Sequence, residues 1–583
     1  MKKTKGLDPI TVEVIRNGLV SAANEMTSAL VRTSFNPILY EMLDFCVDLF
    51  NEKAELIAEG RGAVCFMGTV SFGIKNVVNY VGKDNIEEGD VFVTIYSYFA
   101  GSHHPDVLVF KPIFHEKQIF GYAAAKAHWL DVGACSPFGC DSTDMWQEGV
   151  IIPGAKLAKR GILDKEILDI IRFNSRLGDS SIGDVTASMA ACEAGEKRLL
   201  ALINKYGKDT VKEAIAAIFD HDETIMRQAI AKTPDGEYSA EGQLDNNGLD
   251  DNPLKVRVTV RVKGDEMTID TTGSAPQALG PTNCPYPSTV AFCRLVVKMI
   301  YDPYTRATEG HWRPLSVIAP EGSIYNPQPP APTYLYGWTG EPLGEAIFTA
   351  LAEAVPEKVV AHSGGDICAG AALYGINPRD GKWFMAIPGQ GPIGQGASFD
   401  RDGGDATINY AMSGSEAIPI EVCEERYPML IEKWALRQDS GGPGKFRGGL
   451  GVERYVKGLI NGTVDGVVEQ TKDPPRGLFG GKNGLPNIGI LWPGTSKEKK
   501  FGKFTRLPFL KGERHWVITG GGGGWGNPYE RDMKTVLEDV IKGYVSLDSA
   551  RKDYGVVIRE ENAEYILDEV ETEKLRKQKI DST

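Results

Sequence analysis

Thirty-five of the chain's 67 glycines fall between residues 361 and 526, a stretch of 166 residues, while the other 417 residues hold 32. About one residue in five of that stretch has no side chain, so this part must turn tightly or bring backbones close together. The excess has no three-residue period, and apolar residues make up 42% of the chain, which sets aside collagen-like and disordered readings. Gly389-Gln-Gly391-Pro-Ile-Gly394 spells a dinucleotide-type pattern, but Pro388 precedes it and no helical pattern follows, so it reads as a loop. Gly442-Pro-Gly444-Lys445 lacks the serine or threonine of a phosphate loop, and no complete nucleotide motif occurs elsewhere. The run Gly520–Gly524 before Trp525-Gly526 fits a close approach to a ligand or partner, or a flexible lead into a helix.

At 583 residues the chain has length for three or four domains. Turn-rich Asp245–Asn252 suggests one boundary and proline-rich Pro320–Thr333 another. The division read here is 1–245, 246–410 and 411–583. A net charge of −14 argues against a broad nucleic-acid or anionic-membrane surface. Nine scattered cysteines, with Cys135 and Cys140 an isolated C-x4-C, read as reduced thiols. The basic start Met-Lys-Lys-Thr-Lys is not followed by an apolar core, and no run approaches a membrane span, so a cytoplasmic protein is expected.

Asp8-Pro9 opens a helix to about Arg32, with Ile15, Leu19, Ala22, Met26 and Leu30 on one face. Helices are also expected at Asp164–Asn174, Asp209–Lys232, Leu343–Val355 and Tyr529–Tyr554. Residues 256–270 form a hairpin turning at Lys263-Gly264-Asp265, and Asp270-Thr-Thr-Gly273-Ser reads as its plain end. The overall class is mixed α/β (α+β).

Four of the eight histidines, His103, His104, His115 and His128, share one 26-residue window. Strand Val107–His115, a turn at Glu116-Lys117 and return strand Gln118–His128 make a hairpin. Its expected register sets His128 opposite Pro105 and Asp106 opposite Ala127, although Pro112 could mark an edge or a bulge. The open end then gathers His103, His104, Asp106 and His128. Imidazoles with a carboxylate suit zinc, iron or manganese. Asp44, opening the segment Asp44–Phe50, could add a ligand, and Asp131 could orient an imidazole. On spacing alone, Ser-His-His-Pro-Asp is equally an ordinary polar turn.

At these residues the sequence resembles the hydantoinase B/oxoprolinase family, which includes lactam-hydrolysing subunits and relatives in acetone and acetophenone carboxylases. The landmarks are Asp8-Pro-Ile-Thr-Val-Glu-Val14, Asp44-Phe-Cys, Gly101-Ser-His103-His104-Pro-Asp106, Lys126-Ala-His128-Trp-Leu-Asp131-Val-Gly133, Asp270–Pro276, Gly280–Pro285, Arg437–Gly442, Phe446–Gly449, Gly520–Gly526 and Asp553–Val557. The resemblance implies a hydantoinase B-like fold with an N-terminal metal-bearing hairpin region and a Gly-rich, β-rich C-terminal part. It implies metal ligands Asp44, His103, Asp106 and His128, with His103, Asp106 and His128 catalytic and zinc favoured over manganese or iron. His104 stands where the family has leucine, so the motif favours His103; Trp129-Leu130 replaces the commoner His-Ala.

The resemblance further implies a partner similar to the hydantoinase A protein, which binds ATP, in a heterotetramer of two A-type and two B-type chains. The implied activity is ATP-dependent hydrolysis of a hydantoin, 5-oxoproline or lactam ring. The alternatives are a subunit of an acetophenone- or acetone-type carboxylase using a ketone and bicarbonate, and a scaffold for an ATPase partner.

Overall fold

The structure is a computed structural model that describes residues 7–387 and 391–581. The basic start, and Pro388, Gly389 and Gln390 of the dinucleotide-like pattern, lie outside the described residues. No described helix is long and apolar enough to cross a membrane.

The first sheet has seven antiparallel strands: β1 (Phe45–Asn51), β2 (Leu56–Glu59), β3 (Val91–Ile95), β4 (Asp106–His115), β5 (Gln118–His128), β6 (Ile152–Lys159) and β7 (Ile162–Leu163), in the order β2-β1-β5-β4-β3-β6-β7. Helices cover both faces. Residues alternate across β5, so Ala123 meets Gly195 of helix Asp179–Tyr206, while Lys126 reaches Thr69 of helix Val64–Val81. The alanine run Ala123–Ala125 keeps β5 thin where the long helix crosses it. Helix Pro9–Thr33 packs on helix Asp179–Tyr206 with Ile15, Leu19, Ala22, Met26 and Leu30 buried, as its periodicity predicts, and Asp8 caps it.

Hairpin β4–β5 forms with Glu116 and Lys117 at positive φ (50° and 62°), but its register corrects the expected one. His115 pairs with Gln118 as read; a bulge between Ile113 and Phe114 then shifts every later pair by one. Asp106 therefore lies opposite His128, and Val107 opposite Ala127. Pro112 sits beside the bulge, beyond the residues that pair with β3, so the strand is central yet tolerates a missing donor.

The hairpin at 256–270 is present as strands Leu254–Lys263 and Glu266–Asp270 in a second, four-stranded sheet. At its end the Asp270 carboxylate accepts from Thr272 N (2.9 Å), an ordinary turn. Helix Tyr336–Leu351 packs on this sheet. It starts seven residues before the expected Leu343, with Pro342 inside it rather than ahead of it. The long helix expected at Tyr529–Tyr554 is instead two, Met533–Ile541 and Leu547–Asp553, separated by Gly543 at φ 74° and the Ser546 cap.

The C-terminal part holds a four-stranded and a five-stranded sheet enclosing a small core that includes Leu373, Val456, Val464, Phe509 and Val517. Beside them Gly520–Gly524 runs buried and irregular, hydrogen-bonded on several sides. Gly522 N donates to Gly449 O (2.9 Å), Gly523 N to His362 O (2.8 Å) and Gly524 N to Lys482 O (2.9 Å). The run is thus neither a flexible lead nor an exposed partner surface; it is the axis of an internal backbone bundle.

Candidate metal centre

Three ligand atoms converge at the open end of β4–β5. His103 follows Gly101 and Ser102, both at positive φ (70° and 61°), which turns the chain sharply out of the short helix Ser97–Ala100. Asp106 begins β4 and His128 ends β5 directly across from it. His103 Nε2 lies 3.1 Å from Asp106 Oδ1 and 3.1 Å from His128 Nδ1, and His128 Nδ1 lies 2.9 Å from Asp106 Oδ1. Among the described residues these three form the one histidine, cysteine or carboxylate group tight enough to hold a metal ion. All three are buried.

The donor set fits a divalent first-row metal. His103 Nδ1–H donates to Tyr334 O at 2.9 Å, which leaves Nε2 with its lone pair facing the cluster. Among the described residues, Asp106 Oδ2 and Asp44 Oδ1 are buried without a hydrogen-bond partner, as free ligand oxygens would be. Burial opposes ionisation of Asp106, but His103 and His128 outweigh it and hold its carboxyl below the usual carboxylate range. Asp44 lines the same cavity, and its main-chain oxygen accepts from His128 N (3.1 Å), but its carboxylate lies outside the tight group of three. Burial lifts Asp44 to about 7.

Two of the expected residues stand outside the group of three. His104 supplies none of the three ligand atoms; its ring is fully buried, and burial pushes it down to about 3. Asp131 accepts from Gly133 N and from Arg176, with which it forms an ion pair, and no imidazole is among its partners in the described residues. The nine cysteines are all free, with Cys135 exposed and Cys140 buried.

Side chains that the sequence does not mark as ligands complete the site. Glu148 accepts from Thr333 N and Tyr334 N at 2.8–2.9 Å and so fixes the carbonyl that orients His103. Fully buried Lys126 donates to Thr69 Oγ1 (2.9 Å) and Ala100 O (2.7 Å), with Gly101 O at 3.4 Å, pinning the turn into the ligand loop. Tyr336 stands 5.3 Å from His103, ring to ring, and burial keeps its phenol protonated.

The cluster opens into a narrow cavity of ≈ 60 Å³ walled largely by apolar side chains. A much larger cleft of ≈ 970 Å³, edged by Phe173, Arg176 and Trp383, lies elsewhere. The ligand atoms converge only on the smaller one, which is therefore the candidate site.

The sequence profile of hydantoinase B/oxoprolinase proteins matches residues 8–528. The chain belongs to the hydantoinase B/oxoprolinase family. Within this family it is 31% identical to a putative D-/L-hydantoinase B chain of a Pseudomonas species, over 98% of each chain. The crystal structure of the ATP-dependent caprolactamase of Pseudomonas jessenii matches it with TM-score 0.90 and 31% identity, covering 98% of this chain and 100% of that one. Nucleotide-free acetone carboxylase shares the fold at TM-score 0.89 and 19% identity, over 99% of this chain and 83% of that one.

Proposed function

We propose that this family member is the metal-binding catalytic subunit of a heteromeric ATP-dependent cyclic amidase. The observation that carries the reading is the convergence of His103 Nε2, His128 Nδ1 and Asp106 Oδ1 at one end of an apolar cavity. His103, Asp106 and His128 would hold a divalent metal, zinc first and manganese or iron next, with Asp44 as a further donor. Such a metal supplies a Lewis acid and lowers the pKa of bound water.

Around it, Tyr334 holds the proton on His103 Nδ1, the apolar wall excludes water, and Tyr336 keeps a hydroxyl proton with which to hydrogen-bond a carbonyl oxygen. Relatives named as B or beta subunits support a partner chain, here read as a hydantoinase A-like chain that binds ATP in a two-plus-two assembly. The partner would activate the amide and this chain would complete ring opening.

The test uses the purified two-chain complex with ATP, a cyclic amide and labelled bicarbonate. Ring opening without acid-stable label, lost by at least about a hundredfold in His103→Ala and His128→Ala, is expected. Acid-stable label in the product would assign the carboxylase reaction instead.

A further inference from the structure

Helix Val64–Val81 serves two cavities. Its Phe66 lines the one at the metal centre, and its neighbour Met67 lines a second of ≈ 180 Å³, with which the first shares none of its described lining residues. The second lies between this helix, helix Tyr286–Tyr301, strand β2 and the segment 303–312. Val64, Met67, Leu295, Met299 and Trp312 make much of its wall apolar, yet Glu59, Arg294 and Lys298 line it too.

These three charges are not equally committed. Lys298 is spent, because its ammonium donates to Asp302 Oδ2 (3.1 Å) and to Thr305 O (2.8 Å). Arg294 is only 18% exposed, and its guanidinium lies over the rings of Trp312 (5.5 Å) and Phe72 (5.9 Å). Its ion-pair partner Glu309 stands 3.9 Å off, and among the described residues the guanidinium donates no hydrogen bond. Glu59 accepts from Ala307 N with one oxygen (3.0 Å), and among the described residues its other oxygen has no partner. A largely buried forked donor and an open carboxylate oxygen thus face one small, mostly apolar space.

A carboxylate would take the fork of Arg294, an ammonium would meet Glu59, and an apolar body would cover the wall. A ligand with only one of the two charges would leave the other group unmatched in a confined place. We propose that this second cavity binds a small zwitterionic amino acid with an apolar body. The volume suits such a ligand, since an engineered apolar cavity of about 150 Å³ holds a benzene molecule. The proposal depends on neither the amidase reading nor the metal.

Isothermal titration of the full chain with L-leucine and with 5-aminopentanoate tests it. Saturable binding of at least one is expected, and the tighter of the two tells whether the charges are held adjacent or apart. For leucine, 4-methylpentanoate lacks only the ammonium and 3-methylbutylamine only the carboxylate; for 5-aminopentanoate, pentanoate and butylamine serve. Each is expected to bind at least about tenfold more weakly than its parent, as are the parents to Arg294→Met and Glu59→Gln. Binding of neither amino acid would overturn the proposal. So would an isostere that binds as tightly as its parent, or unchanged affinity in a folded Arg294→Met. Should Arg294→Met fail to fold, the isostere series on the parent chain and Glu59→Gln decide the matter.

Discussion

His103 reaches its orientation through groups that are distant in sequence. Its Nδ1 is held by the carbonyl of Tyr334, 231 residues away, which is itself fixed by Glu148. The turn that delivers it is held from behind by Lys126, whose ammonium, buried to the last atom, meets two main-chain oxygens and Thr69. Lys126→Met keeps the length and removes the donors, leaving Ala100 O without its buried partner. Affinity for zinc or cobalt is expected to fall about 10- to 100-fold, as when partners that orient ligands are removed. The cobalt-loaded variant should also show an altered visible spectrum. A lower melting temperature with affinity and spectrum intact would show that Lys126 serves the fold alone.

At the scale of elements, the legible parts were those whose physics is local. The Glu116-Lys117 turn and the alternation around it point to the ligand hairpin, and Asp8-Pro9 to the first helix. The one-residue shift was hidden because the bulge depends on how Ile113 and Phe114 settle against β5, a matter of packing that alternation cannot encode. Tyr336 was missed because Pro342 looks like a helix boundary, whereas the burial of helix Tyr336–Leu351 on the second sheet carries the helix through it.

That helix has a second consequence. Glu341 and Glu345, one turn apart on it, are both buried, and among the described residues neither Glu341 oxygen has a hydrogen-bond partner. Burial raises Glu345 to about 8 from an ordinary 4.5, and burial together with its neighbour's charge also raises Glu341 well above that ordinary value. Between about pH 4.5 and 8 the folded chain keeps a proton on Glu345 that the unfolded chain has released, so stability falls as pH rises across that window. Glu345→Gln removes the group that must ionise. It should reduce the loss between pH 6 and 9 by on the order of 2 kcal/mol, measured by denaturant unfolding at both pH values. An unchanged pH slope would show that Glu345 is already ionised in the folded protein.

For the whole molecule the decisive feature is the glycine bundle, because it ties the cavity wall to the C-terminal part. Ile367 and Cys368 of the wall follow Gly364, whose N–H donates to Gly394 O, while His362 O receives Gly523 N–H. A methyl group on Gly522 would lie 1.9 Å from Gln395 O and 2.2 Å from its carbonyl carbon, both main-chain atoms that no rotamer change can move aside. On Gly375, in a C-terminal strand, the nearest atoms would stand at 3.5 Å, an ordinary contact. Gly522→Ala is therefore expected to cost more than about 4 kcal/mol, and Gly375→Ala less than about 1 kcal/mol. Soluble yield and thermal unfolding separate the two. The distant Gly522→Ala should also depress metal content, because the segment it displaces carries part of the wall beside His103. Should Gly522→Ala melt within a degree or two of the parent and retain its metal, the bundle would be a tolerant filler and the cavity wall would owe its position to the sheets alone.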